Sequence, residues 1–488
     1  AASDVYKRQS YMEGNRYDVV VVGAGLSGLS AAVRLGMFGK KVLVLEKHYV
    51  VGGLNSFYAK GGKKFDVGLH ALTNYPSENS GKNSPLLKLC RQLRLPLESL
   101  QLKEQSFSRI CFPEKELQFC NHFPNFIEDI DRKFPASTDK FTRLLQKMNE
   151  FPAYSVDAPE LSTREILKDS GIEPLLAEML LCPTCYYGSA RNDDIDFPTF
   201  IMLFDAIFKQ GLARPEQGIR AILDPLCQKL KELGVERRMN SGVVKFQVCD
   251  EKITNIELES GENVVAEQII STCGVIETES LLSSNPVEGN QAKVGEFTIL
   301  ESISVIQGKP VELNWEETVI FFNDSEKFEY NPPKNPVDLR SGVICIPENY
   351  KSVNNPPDFK LRITHPANFA FWSSLSKDEY KKEKAKYEHR IFQNGLQYLK
   401  GGVASKEEIA QKVVLRDTFT PKTIKHFTSH KNGTLYGSPT KARDGSTKYK
   451  NLFLAGTDQG YIGIVGAMLG GIAAVSYTHL TLPTIVRV

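Results

Sequence analysis

The sequence lacks any unbroken apolar run near the roughly 20 residues that a membrane-spanning helix requires, which excludes an integral membrane protein of the helical type. It also lacks an excess of one charge, since 60 lysines and arginines stand against 58 aspartates and glutamates in 488 residues. This balance argues against nucleic acid or another polyanion as a partner. No secretory signal precedes the first predicted strand, so we expect a cytoplasmic protein.

The nine cysteines form neither a disulfide framework nor a zinc-binding pattern, because they are odd in number and mostly scattered. Cys182 and Cys185 have the spacing of a redox pair. No second pair accompanies them for zinc, and no thioredoxin-like unit surrounds them. They are therefore either a redox pair or two core thiols one helical turn apart. We expect no metal site and a reducing compartment.

Both ends of the chain resemble translated sequencing adapter. A single DNA sequence, read on opposite strands, encodes Ala1 to Gln9 and Val475 to Leu482. We therefore assign residues 1–9 and 475–488 to adapter and exclude them from fold reasoning. The expectation is that the native C-terminus lies beyond this chain. Without these ends the basic and acidic residues are equal in number.

A βαβ unit is predicted close to the start of the chain. Val19 to Val22 form a short apolar run, which is typical of a strand buried on both faces of a parallel sheet. A glycine loop follows, then a helical segment from Leu29 to Phe38 and a second apolar strand from Lys41 to Leu45. The loop consists of Gly23, Ala24, Gly25, Leu26, Ser27 and Gly28.

The three glycines of this loop have the spacing of a dinucleotide-binding fingerprint. Gly23 permits a tight turn, Gly25 lets backbone approach a pyrophosphate, and Gly28 allows the helix to pack closely on the strand. The phosphates would then lie at a helix N-terminus, which favours anions. Glu46 ends the second strand and can accept from ribose hydroxyls, while its charge disfavours the 2′-phosphate of NADP. The motif alone leaves FAD, NAD and a ligand-free glycine turn open.

Two further segments favour FAD. The pair Gly52-Gly53 is followed by FDVGLH at residues 65–70. Near the other end of the chain, residues 451–466 place a strand, Asp458 and a glycine-rich helix start in succession. Backbone N–H groups at such a helix start can stabilise the negative charge that a flavin gains on reduction.

These motifs together resemble the phytoene desaturase, carotenoid isomerase and retinol saturase group within the amine oxidase-like flavoprotein superfamily. The resemblance covers nearly all of Asp18 to Ala474, and its anchors include Arg214-Pro215-x-x-Gly218 and Tyr436-Gly437. It implies an FAD-dependent oxidoreductase acting on C–C or C=C bonds of a polyene or isoprenoid-like lipid, as a desaturase or saturase. Two alternatives stay open: a non-redox cis–trans isomerase, and a flavin-free binding protein like the Rab GDP-dissociation inhibitors.

The resemblance also implies an apolar small-molecule substrate, peripheral contact with a membrane, and a set of FAD-binding residues. Many relatives have arginine after the glycine pair, whereas Leu54 stands here, which favours the isomerase and saturase branch. His70 lies near the flavin or is a hydrogen-bonded structural residue. No catalytic residue is assigned. Beyond the glycine loop, the implied FAD-binding residues are Glu46, Lys47, Gly53, Leu54, His70, Val243, Asp458, Gly463 and Ile464.

The order of the motifs predicts an α/β fold with a discontinuous Rossmann-like FAD-binding domain and an inserted mixed α+β substrate domain. The FAD-binding domain is assigned to 17–75, 215–275 and 440–474, and the substrate domain to 76–214 and 276–439. Phe200, Phe204 and Phe208 share one helix face, where they form plain core or line an apolar tunnel with Tyr186 and Tyr187.

Overall fold

The computed structural model describes residues 16–76, 84–282, 294–351, 356–402 and 404–478. Most of the strands within these ranges fall into two large sheets. In chain order the strands are β1 (Arg16–Val22), β2 (Val42–Leu45), β3 (Phe57–Lys60), β4 (Lys63–Asp66), β5 (Leu102–Glu104), β6 (Ser108–Cys111), β7 (Glu116–Phe119), β8 (Ala213–Pro215), β9 (Glu236–Arg238), β10 (Val243–Cys249), β11 (Lys252–Leu258), β12 (Asn263–Ser271), β13 (Ile299–Gln307), β14 (Val319–Asn323), β15 (Ser341–Cys345), β16 (Asp358–Pro366), β17 (Val413–Phe419) and β18 (Leu452–Leu454).

The α-helices of the same ranges cover the faces of these two sheets. In chain order they are α1 (Leu26–Met37), α2 (Pro85–Leu93), α3 (Phe123–Lys133), α4 (Thr138–Glu150), α5 (Thr163–Asp169), α6 (Pro174–Gly188), α7 (Phe197–Phe204), α8 (Arg220–Glu232), α9 (Val275–Leu282), α10 (Phe369–Ser374), α11 (Lys377–Leu396), α12 (Lys406–Gln411), α13 (Pro421–Thr428) and α14 (Gly463–Thr478).

The first sheet contains the predicted βαβ unit at its centre. Its order is β10-β11-β12-β1-β2-β9, with β18 also paired to β12. Strand β1 runs parallel to both β2 and β12. Val20 and Val21 are completely buried, as an apolar run between two covered faces requires. Helices α1, α8 and α14 share one apolar core with this sheet.

The second sheet has the order β17-β13-β16-β15-β14-β6-β7 and is mostly antiparallel. One of its faces packs on the aromatic-rich helices α3, α4, α6 and α7. The other face packs on the long helix α11. The sheet therefore separates two apolar cores.

The two sheets draw on different parts of the chain. Apart from β18, the first sheet uses strands between residues 16 and 45 and between 236 and 271. The second sheet uses strands between 108 and 119 and between 299 and 419. This arrangement agrees with a nucleotide-binding unit interrupted by insertions, whereas the domain boundaries stay a prediction.

The phenylalanine stripe belongs to the core. Phe200 and Phe204 lie in α7, and Phe208 lies in the π-helical turn Asp205–Lys209 that follows it. All three are completely buried among other aromatic rings and are absent from the lining of the large cavity described below. The core interpretation is therefore correct for them and the tunnel interpretation is wrong.

The CxxC pair lies in α6, where Cys182 and Cys185 are free thiols that are buried in the same core. Burial raises the pKa of both thiols well above its ordinary value. A protonated thiol is a poor nucleophile, so the structure favours two core thiols over a redox pair.

No helix within the described ranges is both long and apolar enough to cross a bilayer. The last described helix, α14, ends at Thr478, so residues 475–478 of the predicted C-terminal adapter continue it. The rest of that segment and all of residues 1–9 lie outside the described residues.

Candidate functional site

The glycine loop forms an open cradle at the start of α1. A Cβ added to Gly28 would overlap the carbonyl oxygen of Gly23, so the helix can approach the loop only with glycine there. Gly23 has a φ of +104°, which favours glycine. A Cβ added to Gly25 would meet no atom within 4 Å. Gly25 is the residue before the helix N-terminus, so the open space lies where a pyrophosphate would bind.

Glu46 follows β2 and faces this loop. Its Oε2 accepts a hydrogen bond from the Ala24 N–H at 2.7 Å, and its Oε1 accepts from the His48 N–H at 2.9 Å. An ionised carboxylate has about four acceptor positions, so about two stay available for ligand hydroxyls. The carboxylate therefore fixes the loop and still fits a ribose.

Asp458 connects three segments of the chain just before α14. Its carboxylate accepts from the backbone N–H of Val275 at 2.7 Å and of Ser438 at 2.8 Å, and it lies 3.4 Å from Lys441 Nζ. Burial lowers the pKa of Lys441, although Asp458 opposes this shift. Helix α14 begins close by at Gly463. Asp458 therefore ties the segment before α14 to the start of α9 and to residues 438–441, a structural task that the sequence motif did not reveal.

A cavity extends from the glycine loop and Glu46 to Asp458 and the start of α14. Its volume of about 550 Å³ lies within the size range of small-molecule sites. Of the residues implied by the resemblance, Ala24 and Gly28 lie behind its surface, and all the others line it. Those others are Gly23, Gly25, Leu26, Ser27, Glu46, Lys47, Gly53, Leu54, His70, Val243, Asp458, Gly463 and Ile464.

One end of the cavity is apolar and was largely missed by the sequence analysis. Its residues come from the segment after β4, from α6, from β13 and the residues just before it, from β14 and β15, and from the segment before β18, so no single local motif marks them. The sequence predicts Tyr186 and Tyr187 as core or as the lining of an apolar tunnel, and both line this cavity. Tyr436 belongs to the Tyr436-Gly437 motif. The apolar residues of this end are Ala71, Tyr186, Tyr187, Phe297, Ile299, Phe321, Val343, Leu435 and Tyr436.

The three tyrosines at this end are neutral. Tyr186 Oη lies 2.8 Å from Ser341 Oγ, and the Tyr436 hydroxyl donates to the Tyr186 carbonyl. Burial raises the pKa of Tyr186, Tyr187 and Tyr436 above the ordinary value. Their hydroxyl protons therefore stay bound at physiological pH.

Among the described residues, His70 is the basic side chain that lines the apolar end of the cavity, and a buried ion pair holds it. His70 Nε2 lies 2.8 Å from Glu301 Oε1. Arg362 donates to Glu301 from Nε at 2.6 Å and from Nη2 at 3.0 Å, and to the Leu69 carbonyl at 2.9 Å. Neither Glu301 nor Arg362 belongs to a local motif, so sequence reasoning missed both.

Neighbouring charges and burial shift the pKa values of His70 and Glu301 in opposite directions. Burial lowers the pKa of His70, although Glu301 opposes the shift. Burial disfavours the ionised form of Glu301, but the charge of Arg362 and the contact with His70 hold the pKa of Glu301 at about 2. Glu301 is therefore a carboxylate and His70 a neutral imidazole at physiological pH.

The Arg214-Pro215-x-x-Gly218 motif has a structural position beside this group. Arg214 pairs with Asp66 at 2.5 Å and donates to the His70 carbonyl at 3.3 Å. Asp66 also accepts from the Ile219 N–H at 3.1 Å, and a Cβ on Gly218 would clash with the Asp66 carboxylate. The motif thus locks the FDVGLH segment in place.

Comparison with known proteins adds a family match. A family model described as flavin containing amine oxidoreductase matches residues 26–477. Among curated proteins, 4,4'-diaponeurosporene oxygenase from Staphylococcus aureus (strain bovine RF122 / ET3-1) is 25% identical over 287 residues, covering 54% of this chain and 57% of that protein. The chain thus matches little more than half the length of this relative.

Solved structures resemble the whole chain. An oxidoreductase from Methanosarcina mazei has a TM-score of 0.63 at 18% identity, covering 94% of this chain and 99% of that chain. Cyclohexylamine oxidase from Brevibacterium oxydans IH-35A has a TM-score of 0.61 at 12% identity, covering 95% and 97%. These likenesses confirm the predicted α/β fold.

Proposed function

The chain belongs to the flavin-containing amine oxidoreductase family, and from that premise we propose that it is a desaturase or saturase of a polyene or isoprenoid-like lipid. Membership confirms three expectations from the sequence: the amine oxidase-like superfamily, FAD as the cofactor, and an FAD-dependent oxidoreductase. The substrate and the direction of the reaction are the proposal.

We assign the two halves of FAD to the two ends of the cavity. The open space before Gly25 and the start of α1 would hold the pyrophosphate, and Glu46 the ribose of the ADP half. The backbone of Val243 would contact the adenine. Gly463 and Ile464 at the start of α14 would hold the flavin ring. When bound, FAD supplies a two-electron acceptor or donor for hydride transfer.

The observation that carries the substrate proposal is the apolar end of the cavity. Neutral tyrosines, phenylalanines and aliphatic side chains line it. Glu301, the carboxylate that lines this end, is already paired with Arg362 and His70. Among the described residues lining this end, no anionic group is left for the ammonium of an amine. A hydrocarbon segment fits better, since its burial there displaces water from apolar surface.

The curated relative adds support of a different kind. Its name specifies an oxygenase of 4,4'-diaponeurosporene, which is a carotenoid-related reaction. The match covers only part of both proteins, so it supports the substrate class rather than the reaction. The aromatic lining of the cavity supports the same class independently.

The test is an anaerobic reaction of the FAD-loaded protein with a polyene hydrocarbon and, separately, with a primary amine. We expect the polyene to bleach the oxidised flavin and to lose two hydrogens by mass, or to gain two when the flavin is reduced beforehand. A product of unchanged mass but altered double-bond geometry would replace the redox function by isomerisation. Bleaching by the amine alone would overturn the substrate proposal. A Gly25→Ala variant, which we expect to lack flavin, is the matched control for any change in the polyene that does not depend on FAD.

A further inference from the structure

Resting on the proposed function, we propose that His70 takes a proton from the substrate through Nδ1 when the enzyme dehydrogenates that substrate. His70 is placed at the apolar end of the cavity and held from behind by Glu301 and Arg362. His70 is then a catalytic residue of this reaction.

The contact with Glu301 fixes which nitrogen carries the proton. Glu301 is a carboxylate, which only accepts hydrogen bonds, so His70 Nε2 is the donor across 2.8 Å. In a neutral imidazole the other nitrogen, Nδ1, is then an unprotonated acceptor. Within the described part of the chain no hydrogen bond to Nδ1 is found. The side chain is 21% exposed and lines the cavity, so Nδ1 is available to a ligand.

The groups around His70 can hold the imidazolium that forms. Glu301 on β13 faces it directly, and Arg362 on β16 neutralises and orients Glu301. The positive charge of Arg214 on β8 disfavours protonation of His70, because Arg214 lies close to it. Tyr350 Oη and Cys345 Sγ donate to the His70 backbone carbonyl, and Thr364 Oγ1 lies 3.5 Å from Nε2. A carboxylate behind an imidazole fixes its tautomer and stabilises its charged form.

The other polar side chains at this end of the cavity are poor bases. The tyrosine hydroxyls keep their protons because burial raises the pKa of each. Glu301 has a pKa of about 2 and is occupied by Arg362 and His70. Among the described residues that line the apolar end, this leaves His70 as the group with a basic atom free.

The proposed step is balanced in atoms and electrons. FAD held at the start of α14 would supply the acceptor for one hydrogen with its electron pair, and His70 Nδ1 would take the adjacent hydrogen as a proton. The electron pair of the second C–H bond becomes the new C=C bond.

The test is a His70→Gln variant, because glutamine can keep an N–H donor toward Glu301 but cannot titrate. We expect normal FAD content and a rate of flavin reduction by polyene lowered by about 10²- to 10⁴-fold. The wild-type rate should rise with pH through the pKa of His70, below 6.5, and then level off, while the variant should show no such rise. His389→Gln, at an exposed position of α11, is the matched control and should behave as wild type.

A second readout needs no substrate. In ¹⁵N-histidine NMR of the protein, the signal missing from His70→Gln identifies His70, and we expect a protonated Nε2 with a bare Nδ1 at pH 7.5. A proton on Nδ1, or a variant that reduces its flavin as fast as wild type, would overturn this role alone. A wild-type protein that leaves polyenes unchanged would overturn the proposed function and this role with it.

Discussion

Glu46 shows how one carboxylate can serve the fold and a ligand together. It accepts from two backbone N–H groups, one in the glycine loop and one after β2, and keeps acceptor positions toward the cavity. Glu301 lines the same cavity, but its carboxylate oxygens already accept hydrogen bonds from Arg362 and His70. The chemical roles of these two residues therefore differ because their neighbours differ.

Replacing Glu46 by alanine should weaken FAD binding. The variant loses the proposed ribose acceptor and leaves the N–H groups of Ala24 and His48 without their partner. Hydrogen bonds to charged groups contribute about 1.5–3 kcal/mol, so we expect the dissociation constant for FAD to rise by roughly 10- to 150-fold. Flavin fluorescence titration measures it. Glu251→Ala, in an exposed turn with an exposed lysine partner, is the control, and equal affinity in the two variants would refute the role of Glu46.

The segments that bind the nucleotide were predictable because each is local in sequence. A valine run, a glycine loop and a carboxylate after the next strand follow one another within residues 19–46, and the packing of a parallel sheet fixes their geometry. The apolar end was not predictable, since six separate parts of the chain supply it. A short turn beginning at Pro135 separates α3 from α4, because proline does not continue a helix.

The glycine loop offers a matched pair of substitutions with opposite expected results. Gly25→Ala should fold normally, because its φ of −72° suits alanine and its Cβ meets no atom within 4 Å. The same Cβ would occupy the cradle, so FAD should not be retained. Gly28→Ala should lower the free energy of unfolding by about 1–3 kcal/mol, because its Cβ would overlap the Gly23 carbonyl oxygen.

Thermal unfolding and flavin content of both purified variants check this pair. The apo form of wild type is the reference for stability, since bound flavin itself stabilises the folded state. A Gly25→Ala protein with a full complement of FAD would show that the pyrophosphate lies elsewhere.

Across the whole molecule, the ion pair of Glu301 and Arg362 connects the two large parts of the fold. Both residues lie in the second sheet, while Arg362 also donates to the Leu69 and Val67 carbonyls of the segment after β4. Arg362 is 2% exposed. The pair therefore fixes His70 relative to the sheet that carries the apolar end of the cavity.

Replacing one partner of this ion pair should lower the free energy of unfolding more than replacing both partners. Glu301→Ala leaves a buried arginine charge without its carboxylate, and we expect the free energy of unfolding to fall by about 3–5 kcal/mol. The double variant Glu301→Leu with Arg362→Met should lose less, because it buries no unpaired charge. Chemical denaturation measures the free energy of unfolding of both variants. A double variant that loses as much stability as Glu301→Ala, or more, would contradict this prediction.

We expect FAD to lie along the cavity from Val243 to Gly463, with its flavin ring against the apolar end. An experimental structure of the FAD-loaded protein checks this placement. Continuous density should show the ribose at Glu46, the pyrophosphate at Gly25 and the flavin ring beside the start of α14. FAD bound elsewhere, or with its adenine and flavin ends exchanged, would refute this placement.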